Sequence, residues 1–238
     1  MRFRLNADPA ALREQYVNAR PFPHIVLDNL FPNEILEEVL DDFPRPEEIA
    51  WRKFDNPTEK KLGYWHENPL RPRIQLFLYE MNSAPLLQFL ERLTGIEGLI
   101  SDPYYGGAGP HQIEPGGFLK VHVDFNWHPL LKLDRRLNLL VYLNEDWSEA
   151  WGGDLELWDR QGKGCVQRIS PMFNRAVIFD TSNSSYHGHP RPLECPEERS
   201  RKSLALYYYT VDAPADDDRT PHSTVFLKTE GVAAPESV

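Results

Sequence analysis

The chain has 238 residues, 41% of them apolar, 26% charged and 12% aromatic, which is enough apolar sequence for a sizeable core. Its net charge of −10 argues against general nucleic-acid binding, because that activity needs a basic surface. The two cysteines cannot form a disulfide framework, and neither a signal peptide nor a run long enough to cross a membrane is visible. The sequence therefore predicts a cytoplasmic protein without a membrane anchor.

Helices are expected mainly in the first hundred residues. Apolar periodicity and capping residues predict helices over 9–18, 32–43 and 83–94, and a short strand over 22–28. The segment 51–72 is polar, aromatic and interrupted by prolines, so we interpret it as an extended connector without regular structure. Loops held on a rigid scaffold often carry specificity, which makes Trp65 and His66 candidate substrate contacts. The alternative is that the aromatic side chains only cover the barrel.

The sequence changes character from about residue 104, where short apolar runs alternate with Gly, Pro, Asn and Asp. These runs predict strands over 110–113, 119–123, 137–143, 153–158, 164–169, 176–179 and 203–211, with an added edge strand over 224–227. Such spacing is typical of an antiparallel sandwich or barrel. Helices followed by strands favour a β-rich α+β fold, with a jelly-roll core over 101–211 and N-terminal helices (1–100) packed on one face. Nothing marks a linker, so we expect one domain with a tail over 212–238.

Two histidine motifs stand out within the predicted strands. In His122-Val123-Asp124 the histidine and the aspartate are two residues apart, so both side chains project from the same face of a strand. A second cluster follows downstream, where His187 and His189 also share a face, and geometry alone does not choose between them. Two imidazoles and one carboxylate on one side of a metal suit non-haem Fe(II). The motif by itself is weak and needs its context.

The motifs in order resemble a known family. These are HVD (122–124), YLNEDW (142–147), GGDLELW (152–158) and RKSLALYYYT (201–210), and they are similar to the 2-oxoglutarate/Fe(II) oxygenase superfamily, in particular its prolyl-4-hydroxylase-like branch. The resemblance implies a double-stranded β-helix (jelly-roll, cupin-like) core. It also implies an oxidoreductase, a dioxygenase that uses Fe(II), 2-oxoglutarate and O2, with ascorbate as an accessory reductant. Such enzymes couple decarboxylation of 2-oxoglutarate to hydroxylation of a C–H bond.

The resemblance assigns roles at the metal. His122 and Asp124 match the first two iron ligands, and the family pattern favours His187 as the third, so these three form the predicted catalytic centre. His189 then becomes a group that faces the substrate or supports the site. The carboxylate of Asp124 leaves no vacant position for a halide, which favours hydroxylation over halogenation.

The resemblance also suggests a 2-oxoglutarate pocket. A buried guanidinium binds a carboxylate well through paired hydrogen bonds, and Arg201, with Ser203 two residues on, matches the family's carboxylate clamp. Arg199 is the competing arginine. Tyr142 matches a tyrosine that hydrogen-bonds the same carboxylate, and further pocket contacts are expected from Asn138 and Gln112.

The substrate is less well defined. Trp127, in the loop over 125–136, joins Trp65 and His66 as a candidate substrate contact, and a solvated lid is the alternative for that loop. A small-molecule or peptide substrate is expected, with a mild preference for peptidyl-proline that rests on the resemblance alone. Competing functions are a cupin-like metal enzyme, such as a zinc hydrolase or isomerase, and a non-catalytic metal-binding barrel. A zinc enzyme would leave Arg201 and Ser203 without a role, and the complete set of metal ligands argues against a non-catalytic barrel.

Overall fold

The computed structural model describes residues 1–65, 67–212 and 220–227. Within these ranges the helices are α1 (Pro9–Val17), α2 (Asn33–Asp41), α3 (Pro72–Met81) and α4 (Ala84–Thr94). The strands are β1 (His24–Asp28), β2 (Arg52–Asn56), β3 (Glu59–Gly63), β4 (Ile100–Ser101), β5 (Gly109–Ile113), β6 (Phe118–Val123), β7 (Trp127–His128), β8 (Leu133–Tyr142), β9 (Leu155–Trp158), β10 (Cys165–Ile169), β11 (Arg175–Asp180), β12 (His187–His189), β13 (Arg201–Thr210) and β14 (Val225–Phe226). In these ranges no helix is long and apolar enough to cross a membrane.

The strands form one antiparallel sheet that curls into a nearly closed barrel. Its order is β1-β11-β8-β13-β5-β3-β6-β12-β9-β10, with β2, β4, β7 and β14 paired at the sides. The long strands β8 and β13 lie next to each other on the wall that the N-terminal helices cover. This architecture confirms the predicted jelly-roll core with helices on one face.

Alternation along β8 and β13 separates two packed regions. One face of these strands packs against helices α2, α3 and α4 through Leu137, Leu139, Val141, Leu204, Leu206 and Tyr208. The opposite face points into the barrel and carries Tyr142, Ala205, Tyr207 and Tyr209. Because side chains of a strand alternate between faces, the polar residues interleaved with the helix-facing leucines are directed into the barrel interior.

The predicted connector over 51–72 is wrong in one respect. It contains the hairpin β2–β3, and α3 begins at its last residue, Pro72. The hairpin strands are largely exposed and carry little apolar alternation, so their sequence gave no strand signal. Strand β3 is held by pairing with β5 and β6, which are distant in sequence, and β2 pairs with β3.

The predicted C-terminal edge strand is present as β14. Val225 pairs with Val123 and Phe226 pairs with His122, so the C-terminal segment lies along the strand that carries the histidine motif. The candidate residue His66 and most of the predicted tail lie outside the described residues.

Candidate active site

Strand pairing brings the two histidine motifs together. His122 of β6 is the direct cross-strand partner of His187 of β12, so both imidazoles project from the same face with ring centroids 4.4 Å apart. Asp124 follows the last residue of β6. One ligand atom from each of His122, Asp124 and His187 lies within 4.8 Å of the other two. Three donors of this kind at this separation fit a single metal ion.

The backbone fixes which nitrogen each histidine offers. Nδ1 of His122 lies 2.9 Å from the carbonyl oxygen of Lys120, and Nδ1 of His187 lies 2.9 Å from that of Ser185. A carbonyl can only accept, so each Nδ1 must carry the proton and each Nε2 presents its lone pair. The Nε2 atoms of His122 and His187 lie 3.5 Å and 3.4 Å from the Asp124 carboxylate, so the atoms that can bind a metal converge on one point.

Two buried polar side chains, Asn138 and Arg135, hold the carboxylate of Asp124. Its Oδ2 accepts a 2.7 Å hydrogen bond from Nδ2 of Asn138 and lies 3.1 Å from Nη2 of Arg135, which is fully buried. Burial alone would raise the pKa of Asp124, but Arg135 and the two histidines together hold that pKa well below its ordinary value. Asp124 is therefore an anion, oriented through Oδ2, with Oδ1 directed at His122.

Aromatic side chains enclose the two imidazoles. The ring of Phe179 lies 4.8 Å from that of His187, and the ring of Phe226 lies 5.5 Å from that of His122. Burial lowers the pKa of His187 to about 4, although Asp124 favours the charged form. The imidazole of His187 is therefore neutral near pH 7, as metal ligation requires.

A buried arginine lies on the neighbouring wall. Arg201, 5% exposed, donates from Nε to the carbonyl of Gly153 at 2.8 Å and from Nη2 to the hydroxyl of Tyr142 at 3.1 Å. Ser203 of β13 pairs with Tyr142 of β8, so both side chains point into the barrel. Gly153 has φ of 78°, and a Cβ there would meet Leu193 at 2.7 Å, so glycine is needed for this approach.

The competing arginine lies elsewhere. Arg199 is exposed, stacks over Trp151 at 5.9 Å and reaches only the carbonyl of Glu145. Of these two arginines, Arg201 is the one that the structure brings to the barrel interior.

Gln112 is not brought to the site. It pairs with Lys202 across β5 and β13, on the opposite face from Arg201, and its Nε2 donates to Ser200. The neighbouring His111 faces inward instead, as the partner of Ser203. Burial lowers the pKa of His111 to about 3, and the charge of Lys61 acts in the same direction. Its Nε2 lies 3.1 Å from the carbonyl of Gly107.

The metal-ligand position opens into a cleft of about 720 Å³. His122 and Asp124 lie at its base. Its walls include the aromatic residues Phe54, Tyr64, Trp65, Phe125, Trp127 and Tyr207. Trp65 and Trp127, two predicted substrate contacts, therefore both line the cleft. The hairpin β2–β3 contributes Arg52, Lys61 and Glu59, and the C-terminal segment contributes residues 221–224.

Two inward residues were not predicted as parts of the centre. Arg135 falls in the loop predicted over 125–136, and the resemblance pointed to Gln112 and not to its neighbour His111. Arg135 lies on β8, and its guanidinium stacks 3.4 Å from the centroid of the Tyr207 ring. His111 lies two residues from Ile113, so the two side chains share a face of their strand. The sequence did not show whether that face or the one with Gln112 points into the barrel.

Part of the sequence matches a known family. Residues 108–209 match the family model of the 2OG-Fe(II) oxygenase superfamily. The match runs from β5 into β13 and includes both histidine motifs and Arg201. No curated protein matches it in sequence.

Solved structures of this fold include prolyl hydroxylases. A prolyl-4-hydroxylase from Pseudomonas putida is similar with a TM-score of 0.62 and 16% identity, covering 85% of this chain and 99% of that one. A prolyl hydroxylase from Trichoplax adhaerens, in complex with a hypoxia inducible factor oxygen degradation domain peptide fragment, has a TM-score of 0.56 and 16% identity over 84% of this chain and 88% of that one. At such identities the likeness defines the fold.

A third similar structure holds a different kind of ligand. HygX from Streptomyces hygroscopicus, with nickel, 2-oxoglutarate and hygromycin B bound, has a TM-score of 0.53 and 13% identity, covering 86% of this chain and 92% of that one.

The superfamily's cofactors fit the residues present. Two imidazoles and a carboxylate within 4.8 Å match the ligand set of non-haem Fe(II). A buried guanidinium beside a tyrosine hydroxyl matches the needs of a carboxylate. The predicted family, the dioxygenase class and the use of Fe(II) and 2-oxoglutarate, with O2 as oxidant, are confirmed. The cytoplasmic location and the role of ascorbate stay predictions.

Proposed function

We propose that this oxygenase is a hydroxylase whose iron is held by His122, Asp124 and His187 and whose 2-oxoglutarate is held by Arg201. The observation that carries the proposal is the convergence of the three donor groups within 4.8 Å of one another, with His122 and Asp124 lining an open cleft. When bound, the iron would supply the oxidising chemistry with O2 as the oxidant: 2-oxoglutarate is converted to succinate and CO2, with one oxygen atom of O2 entering succinate and the other a substrate C–H bond.

The protein's share of the reaction is orientation and protection. The carbonyls of Lys120 and Ser185 hold the two imidazoles in the ligating tautomer. Asn138 and Arg135 hold one oxygen of Asp124, which leaves the other for the metal. Since Asp124 supplies a carboxylate to the metal, a halide has no position to occupy, and hydroxylation is the expected outcome.

The proposed 2-oxoglutarate contacts use a cation and two hydroxyls. Arg201 supplies the charge that binds the carboxylate farthest from the metal, and Tyr142 and Ser203 share its face. Burial raises the pKa of Tyr142, so its hydroxyl stays protonated and can donate. A zinc hydrolase or isomerase would need the three metal ligands but would leave this buried arginine without a function.

A peptide that contains proline is the first substrate class to test, and a polar small molecule is the second. The cleft of about 720 Å³ lies in the range of specific ligand sites, and its aromatic walls suit a ring or an extended chain. The Trichoplax enzyme was solved with a peptide fragment, which supports the first class. HygX was solved with hygromycin B, which supports the second.

The experiment measures succinate formed from 2-oxoglutarate by the Fe(II)-loaded protein, with candidate peptides and small molecules, and then detects an added oxygen by mass. We expect Fe(II)-dependent succinate formation that His122→Ala abolishes. Arg201→Ala should raise the 2-oxoglutarate concentration needed, and Arg199→Ala is the matched control because that arginine is exposed. Equal 2-oxoglutarate requirements in both arginine variants would refute the assignment of Arg201. Turnover of a zinc-loaded protein on a hydrolysable substrate would favour the competing class.

A further inference from the structure

A buried histidine two residues beyond His187 has no partner. His189 is 4% exposed, and neither Nδ1 nor Nε2 finds a hydrogen-bond acceptor or donor among the described residues. Among the other buried histidines in the described residues, His24, His122 and His187 place Nδ1 against a backbone carbonyl. The remaining one, His128, accepts through Nδ1 from the amide of Leu131. An unpaired buried imidazole costs stability, and such a group calls for an explanation in a native structure.

The side chain of His189 faces the barrel interior. On β12 it shares a face with His187, and it pairs with Leu119 of β6, a residue that lines the cleft. The pairing shifts register between His187 and His189, and Gly188 allows the close approach, since a Cβ there would meet the Leu119 carbonyl at 2.8 Å. His189 therefore lies inside the barrel, displaced along β12 from the metal ligands.

Arg201 approaches the same part of the barrel as this histidine. Gly188, next to His189, pairs with Glu156 of β9, and Nε of Arg201 donates to the carbonyl of Gly153, three residues before Glu156. The described part of the chain offers Arg201 only a backbone carbonyl and a tyrosine hydroxyl, and no carboxylate. The buried imidazole of His189 and the guanidinium of Arg201 therefore both lack an anionic partner.

We propose that His189 donates a hydrogen bond to the carboxylate of 2-oxoglutarate that lies farthest from the metal, beside Arg201. The imidazole adds a directed N–H donor beside the guanidinium, and an anion satisfies both buried groups at once. His189 would then bind the co-substrate directly, as an additional contact beside Arg201. The inference rests on the proposed function, because it takes the Arg201 region as the 2-oxoglutarate pocket.

Calorimetric titration of the Mn(II)-loaded protein tests the contact with two ligands. One ligand is 2-oxoglutarate, and the other is 2-oxopentanoate, which keeps the keto-acid end but ends in a methyl group. We expect His189→Leu to weaken 2-oxoglutarate binding about tenfold, the effect of one hydrogen bond to a charged group, and to leave 2-oxopentanoate binding unchanged. His189→Gln, which keeps a donor, should retain part of the affinity. Mn(II) affinity should not change.

The thermal midpoint of the ligand-free protein is a second readout. Because His189→Leu removes two unpaired buried nitrogens, its midpoint should be equal to or above that of the wild type, whereas a structural histidine would lower it on substitution. His24→Leu is the matched control: His24 is also buried, but both of its nitrogens have partners. That variant should lose stability and keep its 2-oxoglutarate affinity.

The outcomes separate this inference from the proposed function. Unchanged 2-oxoglutarate affinity in His189→Leu, or an equal loss for both ligands, overturns the contact at the far carboxylate. If Arg201→Ala still loses affinity in that case, the proposed function stands and only His189 is misassigned. If the wild type binds 2-oxoglutarate no better than 2-oxopentanoate, the pocket itself is misassigned.

Discussion

Nδ2 of Asn138 donates a 2.7 Å hydrogen bond to Oδ2 of Asp124, and Oδ1 of the same amide accepts from Nε and Nη2 of Arg135. Since arginine can only donate, this arrangement fixes which way the amide points. Asn138 thereby links a buried cation to the carboxylate of the metal site. Holding one carboxylate oxygen in this way limits rotation of Asp124 and orients its other oxygen.

The first prediction concerns this amide. Asn138→Ala removes the hydrogen bond to Asp124 without touching a ligand, so metal affinity should fall about 10- to 100-fold, the usual effect of losing a partner of a metal ligand. Titration of the metal-free protein with Co(II), followed by visible absorption, measures this affinity. Asn144→Ala is the control, because Asn144 is also buried but bonds the backbone of Pro171 and Lys202. Equal metal affinities in the two variants would contradict the positioning role.

The second prediction is a pH dependence of the metal-free protein. Burial lowers the pKa of His187 from 6.5 to about 4, so between these values the unfolded chain binds a proton that the folded chain does not. Stability therefore falls as pH decreases through this window, with about 3 kcal/mol expected from His187. The lowered pKa of Asp124 acts in the same direction at lower pH. Urea unfolding at pH 6.5, 5.5 and 4.5 measures the slope.

A variant identifies the group responsible. His187→Leu has no imidazole to protonate, so its stability should depend less steeply on pH over the same range. Some slope should persist, because burial also lowers the pKa values of His111 and His189. A slope as steep as that of the wild type would show that His187 is not a source of the effect.

The third prediction separates two tyrosines. Tyr142→Phe removes the hydroxyl that accepts from Arg201, and the Michaelis constant for 2-oxoglutarate should rise about tenfold with little change in kcat. Tyr208→Phe is the matched change on the helix side of the sheet, where the hydroxyl donates to the carbonyl of Met81 at 2.9 Å. That variant should lose about 1 kcal/mol of stability and keep its Michaelis constant. The reverse pattern would contradict the assignment of Tyr142.

Local sequence patterns predicted much of the barrel. In the candidate metal site they predicted that His122 and Asp124 lie together. The spacing of His122 and Asp124 fixed their shared face, because alternation along a strand is independent of the rest of the fold. The choice between His187 and His189 depends on how β12 pairs with β6, and these strands are far apart in the sequence. The resemblance favoured His187, and the structure pairs that residue with His122.

Strict alternation misplaces Arg135. Counting in twos from Leu137 and Leu139 puts it on the helix-facing side, yet it is buried beside Asn138 inside the barrel. The register of β8 against β13 shifts between the Tyr208 and Tyr209 pairs, and this bulge turns Arg135 inward. Bulges depend on the partner strand, so neither motif nor periodicity could place this residue.

The last prediction concerns the C-terminal segment at the cleft. Asn126 is 3% exposed; its Oδ1 accepts from the amide of His222 at 2.9 Å, and its Nδ2 donates to the carbonyl of Thr220 at 3.1 Å. Leu227 is tied down as well, through its amide to the carbonyl of Val121 at 2.8 Å. These contacts hold residues 221–224 against the cleft and Phe226 against His122.

Asn126→Ala should loosen this segment at its N-terminal end and raise the Michaelis constant for the hydroxylated substrate several-fold, because part of the cleft wall is no longer held in place. The Michaelis constant for 2-oxoglutarate should stay the same, since the Asn126 side chain bonds the C-terminal segment whereas Arg201 bonds Gly153 and Tyr142. Steady-state kinetics with each substrate varied in turn measures both constants. A second variant, Leu227→Pro, removes the amide that bonds Val121 at the opposite end and should show the same selectivity. If both Michaelis constants rise together in either variant, the segment supports the whole barrel and does not form a separate substrate wall.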